Sequence, residues 1–143
     1  MGCILQEIIS AEMLSLLIGL ATGVVGYLVT TFWMQPILRY RDIRERVHSD
    51  LIFYADVVNA DGLNDDMKTR MWKRIAANRR HSADLRAIFA QLPGLYRGWL
   101  SLRGCDPERV SEHLMGLSNT FDYEKAAKLV KAIRAGLRLP SES

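Results

Sequence analysis

The chain has 143 residues, 24% of them charged, with a net charge of +3 and two cysteines. No repeat, low-complexity tract or flexible linker is visible. Once a membrane segment is set aside, the remainder holds one small domain and is too short for two.

The N-terminal stretch Met13 to Met34, MLSLLIGLATGVVGYLVTTFWM, carries no charge. As a helix its 22 residues span roughly 33 Å, enough for a hydrocarbon core of about 30 Å. The expectation is a single transmembrane helix followed by a small cytoplasmic helical bundle, all-α throughout. Residues 1–12 then form a short extracytoplasmic N-terminus and 13–36 the span, with 37–138 as the cytoplasmic domain and 139–143 as a tail. Glu7 and Glu12 precede the span, whereas Arg39, Arg41, Arg44 and Arg46 follow it. That bias places the N-terminus outside and the domain in the cytoplasm. The acidic start and long apolar core oppose a cleaved signal peptide. The opening Met1-Gly2-Cys3 resembles an acylation site, but Gln6 stands where the myristoylation pattern has Ser or Thr. Of the 16 acids, two precede the span, which leaves 14 against 19 bases and a domain charge of +5. Cys3 and Cys105 fall on opposite sides of the membrane and do not pair.

Ser15, Gly19, Gly23, Gly26 and Thr30 recur at steps of 4, 4, 3 and 4, one face of the helix. Such a face lets two backbones approach and points to a homo-oligomer through the membrane helix. Glycine is also frequent in membrane helices generally, so a background reading stands beside it. Pro36 predicts a kink or short break.

From Ile37 to Val58 the steps Ile43, Val47, Leu51, Tyr54 and Val58 predict a helix. Arg41/Glu45, Asp42/Arg46 and Arg46/Asp50 are opposed pairs four apart on its solvated face. The run Leu51 to Val58, apolar on several faces, is expected to be the most buried part of the domain. Asn59 to Asn64 reads as a turn, with Asn64 or Asp65 as cap. The next helix, Asp65 to Leu92, has its stripe at Met71, Ile75, Ser82, Leu85, Phe89 and Leu92. A short segment, Leu95 to Arg103, carries Tyr96, Trp99 and Leu100. Asp106-Pro107-Glu108 is a start signal for a helix to Ser118. A last helix, Asp122 to Leu137, buries Ala126, Leu129, Val130 and Ile133.

The segment YRDIRERVHSDLIFYADVV with the later HLMGLSN is similar to an uncharacterised family of small bacterial single-pass inner-membrane proteins. The resemblance implies a bacterial inner membrane and carries no activity.

Catalysis needs converging groups. His48, His81 and His113 lie on three separate predicted helices without ligand spacing. Cys105, at a helix start beside Asp106, reads as an inert thiol. Asp61, Asp65 and Asp66 read as turn and cap residues rather than a calcium loop. No enzyme, metal or cofactor is expected.

Basic charge is the remaining signal. Lys68, Arg70, Lys73, Arg74, Arg79, Arg80 and Arg86 face a single acid, Asp84, between positions 68 and 86. Lys125, Lys128, Lys131, Arg134 and Arg138 follow on the last helix. A solvated face is one reading. In a second, preferred over the third because a bundle without glycine-rich or helix-N-terminal phosphate cradles makes a poor nucleotide site, the protein is a membrane-anchored, non-enzymatic interaction or scaffold protein whose Lys73, Arg74, Arg80 and Arg86 contact anionic lipid or an acidic protein partner. In a third, it is a membrane effector or sensor whose domain binds a nucleotide messenger or nucleic acid. Lys73, Arg74, Arg80 and Arg86 are expected to be exposed, with Arg79 held by an acidic neighbour.

Overall fold

A computed structural model describes the backbone of residues 2–58, 62 and 64–140, with side chains from Glu12 onward within those ranges. The acylation reading at Gly2 and Cys3, the side chain of Glu7, most of the Asn59 to Asn64 turn with Asp61, and the tail 141–143 lie outside the described residues. Among those described, the chain is all-α, with no strand. It divides into two compact units, residues 1–35 and 36–143.

The first unit holds α1 (Gly2–Val29) and a π turn (Thr30–Met34). From Met13 onward the helix is apolar on every face, and it is long and apolar enough to cross a membrane. Three hydroxyls in this unit bond to backbone carbonyls of the preceding turn. Ser15 donates to the Glu12 carbonyl at 2.8 Å, Thr22 to Ile18 at 2.8 Å and Thr30 to Gly26 at 2.9 Å. Such back-bonding is how polar groups persist where no water competes.

The short break expected at Pro36 is absent: helical structure continues through it, with a π turn immediately before. Gln35 donates its N–H to the carbonyl of Thr30, five residues back. The wider turn makes room for the proline ring, which in a regular α-helix collides with the carbonyl four residues earlier.

In the second unit, α2 (Gln35–Phe53) buries Tyr40, Val47 and Leu51. It stops five residues before the expected end. Tyr54 to Asp56 forms a turn, with the Val57 N–H donating to the Tyr54 carbonyl at 3.2 Å. Leu51, Val57 and Val58 are buried, but Ile52 and Phe53 are 47% and 60% exposed. The run is therefore not the most buried part of the domain. A helix end presents only its inward residues to the core, and the chain reversal sends the rest outward. The central position belongs to α5 (Pro107–Ser118), which packs against both α3 (Asp65–Gln91) and α6 (Tyr123–Leu137). Six of its residues are buried, Val110, Ser111 and Leu114 among them.

Local chemistry sets the helix starts. Asn64 Oδ1 accepts from the Met67 N–H at 2.9 Å, Asp106 Oδ1 from Arg109 at 3.0 Å and Asp122 Oδ1 from Glu124 at 2.8 Å. Each cap satisfies an otherwise orphan donor and contributes about 1 kcal/mol. Pro93 separates α3 from α4 (Gly94–Leu102). Gly104, with φ of 72°, makes the turn into α5. At Gly136, α6 runs so close to α5 that an added Cβ would overlap Val110 Cγ2.

The end of α6 is closed from a distance. Arg44 on α2 donates from Nε to the Leu137 carbonyl at 2.9 Å and from Nη2 to the Arg138 carbonyl at 2.8 Å. Arg138 itself is left-handed, with φ of 49°, and its Nη1 donates to the Arg103 carbonyl at 3.2 Å.

Candidate functional site

The inner face of α3 carries more polarity than its stripe predicts. Arg74, Asn78, His81 and Ser82 are all buried. Ser82 Oγ donates to the Ser111 carbonyl at 2.7 Å and braces α3 on α5. His81 Nε2 lies 2.6 Å from Asp50 Oδ2 and ties α3 to α2. Both groups are absorbed by packing.

Arg74 corrects the sequence reading. It is only 4% exposed, and its Nη2 donates to the carbonyls of Val58 at 3.1 Å and Thr120 at 3.2 Å. These partners are 16 and 46 residues away and draw the long side chain inward. Burial lowers its pKa from the usual arginine value. Among the described residues no carboxylate forms an ion pair with it. Lys73, Arg80 and Arg86 are exposed. Lys73 and Arg80 share one face, whereas Arg86 sits roughly 120° further round the helix. Arg79 is exposed as well and donates to Asn119 Oδ1 at 3.1 Å, a neutral amide rather than the expected acid.

Arg74 lines a cavity of about 810 Å³ walled by α2, α3, α5 and α6. Leu51, Val58, Leu117 and Val130 supply its apolar wall, with Asn78 and Tyr123 among the polar residues. Arg74 Nε and Asn78 Nδ2 are buried without a hydrogen-bond partner. Their spacing of one helical turn was visible in the sequence. Their convergence on a shared cavity depends on α6, which sequence reasoning did not place opposite them.

A second feature is the outer face of α4. Tyr96 and Leu100 turn inward, where Tyr96 meets Tyr40 edge-on at 6.2 Å and stacks on Trp99 at 5.3 Å. Leu95 and Leu102 are left 74% and 89% exposed, with Trp99 partly exposed between them. Arg103 lies over the Trp99 ring at 4.2 Å and Arg97 over Phe89 at 6.0 Å. Ile37, Tyr40, Arg41 and Arg44, from the first turns of α2, share a second, smaller cavity with Tyr96, Trp99 and Arg103. The signal for this surface was an excess of apolar residues in nine positions, more than one inward face accommodates.

In the apolar helix, a Cβ on Gly19, Gly23 or Gly26 meets nothing within 4 Å, so the face shared with Ser15 and Thr30 is open. Cys105 is a half-buried thiol near Tyr40. Tyr40 has a buried hydroxyl without a partner, and burial pushes its pKa well above the tyrosine range. Among the described residues no group of three His, Cys, Asp or Glu is placed to hold a metal ion. The sequence matches no protein-family model, no curated protein and no solved structure.

Proposed function

We propose that the chain is a single-pass inner-membrane protein, N-terminus outside, whose cytoplasmic helical bundle rests on anionic lipid and acts as a non-enzymatic interaction module. The single observation that carries this reading is the outer face of α4. An apolar triad at steps of four and three, flanked by arginines, has the composition of a helix lying in a membrane interface. Its place in the domain supports the same reading, because α4 packs beside Ile37 to Arg44, the residues that follow the apolar helix in sequence. Each apolar side chain withdrawn from water contributes about 1.5–3 kcal/mol when fully buried, and each arginine near an anionic surface about 1 kcal/mol. Lys73 and Arg80 on α3 add to the field without needing direct contact.

The test uses the full chain in lipid nanodiscs, with Cys3 and Cys105 replaced by alanine and an environment-sensitive fluorophore at Leu102→Cys. Emission should shift to the blue and resist an aqueous quencher when phosphatidylglycerol is present. A probe at Phe121→Cys, exposed on another element, should remain water-like. Water-like emission from position 102 in every lipid would remove the membrane contact. A cytosol-active reporter fused after Ser143 should be bright and a periplasm-active one silent; the reverse would invert the topology.

A further inference from the structure

We propose that the cavity walled by α2, α3, α5 and α6 is a binding site for a single-chain amphipathic anion, a phosphate or carboxylate on a short apolar tail. The inference does not depend on the membrane contact of α4, since no wall of this cavity comes from that helix.

Charge is the first ground. Arg74 is buried, and its hydrogen-bond partners are neutral carbonyls. A buried cation without a bonded counter-charge is costly; Asp50 also lines the cavity, but its carboxylate is bonded to His81 at 2.6 Å rather than to Arg74. Unused donors are the second. Arg74 Nε and Asn78 Nδ2, one turn apart on α3, are both shut off from bulk water and both unpartnered. Both belong to residues that line the cavity, and a head group that settles between those side chains supplies the oxygen acceptors they lack. Shape and lining are the third. A volume of about 810 Å³ falls within the range of small-molecule sites. Leu51, Val58, Leu117 and Val130 present hydrocarbon beyond the donors, which suits an alkyl tail. An inorganic anion would leave that wall unused, and a neutral detergent would leave Arg74 uncompensated.

The test is titration of the full chain in neutral-detergent micelles with octyl phosphate, followed by nitrogen NMR of the Arg74 Nε–H and Asn78 Nδ2–H groups. Both should shift saturably with octyl phosphate and stay unmoved by octyl glucoside. Inorganic phosphate and adenosine monophosphate should need at least tenfold higher concentrations. Arg74→Met should weaken binding at least tenfold, read at Asn78, with its fold checked by the remaining spectrum. Ala127→Trp obstructs the cavity from α6 without removing either donor, and should weaken binding by a similar factor. Equal shifts with octyl glucoside, stronger binding of inorganic phosphate or the nucleotide, or undiminished affinity in Ala127→Trp would each overturn the assignment.

Discussion

Helices α3 and α4 invert the ordinary rule in opposite directions. The first buries an arginine, an asparagine, a histidine and a serine on its inner face; the second leaves two leucines and a tryptophan facing out. Burial of α3 polarity is tolerated because Arg74, His81 and Ser82 are hydrogen-bonded to neighbouring segments, while the unsatisfied atoms belong to Arg74 and Asn78, two residues that line one cavity. Exposure of α4 is tolerated because its inward side is anchored, with Leu100 in the core, Tyr96 packed against it and Trp99 stacked on Tyr96. Polarity inside therefore marks what the fold needs or binds, and apolarity outside marks a surface the fold does not need.

The sharpest way to break that comparison is Ser82→Leu on α3. It overpacks the contact with α5 and removes the side-chain bond to the Ser111 carbonyl, for an expected loss of about 3 kcal/mol. Amide hydrogen exchange along α5 measures it, with Trp72→Ser on the exposed side of α3 expected to stay within about 0.5 kcal/mol. Gly136→Ala should cost about 2 kcal/mol, because its methyl meets Val110. Gly116→Ala, whose methyl would sit 3.6 Å from Leu129, should be neutral or slightly stabilising.

Beneath α4, Tyr40→Phe removes an unsatisfied buried hydroxyl and should stabilise by about 0.5–1 kcal/mol. The sign of its pH dependence is fixed by the raised pKa. Below the ordinary tyrosine value of about 10 the phenol is neutral in both states and its stabilising contribution is complete. Above it the unfolded chain ionises first and stability falls, so Tyr40→Phe should flatten the alkaline limb of the unfolding curve. The smallest expected effect is on α4 itself. Leu95→Ser with Leu102→Ser should leave unfolding unchanged within about 0.5 kcal/mol. A loss of several kcal/mol would make that face part of the core.

What was legible in the sequence follows the range of the forces involved. The caps at Asn64, Asp106 and Asp122 are decided within three residues, so spacing alone locates the helix starts. The apolar length of α1 is equally local. The end of α2 at Phe53 was not legible, since no glycine or proline marks it and the reversal is driven by Val57 and Val58 finding the core. The burial of Arg74 is hidden for the same reason: Lys73, Arg74 and Arg80 look alike in a charge run. Only carbonyls 16 and 46 residues away distinguish the one drawn inward. The cavity needed α6 opposite α3, a tertiary fact with no local signature.

The bonds from Arg44 to the carbonyls of Leu137 and Arg138 span 93 and 94 residues. During synthesis Arg44 leaves the ribosome long before its acceptors exist. At 5–20 residues per second the wait is about 5–20 s, far longer than a helix takes to form. Through that interval α2 has no partner for its guanidinium, and the last turn of α6 is not yet capped. The domain is thus completed only when residues 137 and 138 have emerged, and a nascent chain arrested before Leu137 should remain open to protease along α2 while one extended well past Arg138 is closed.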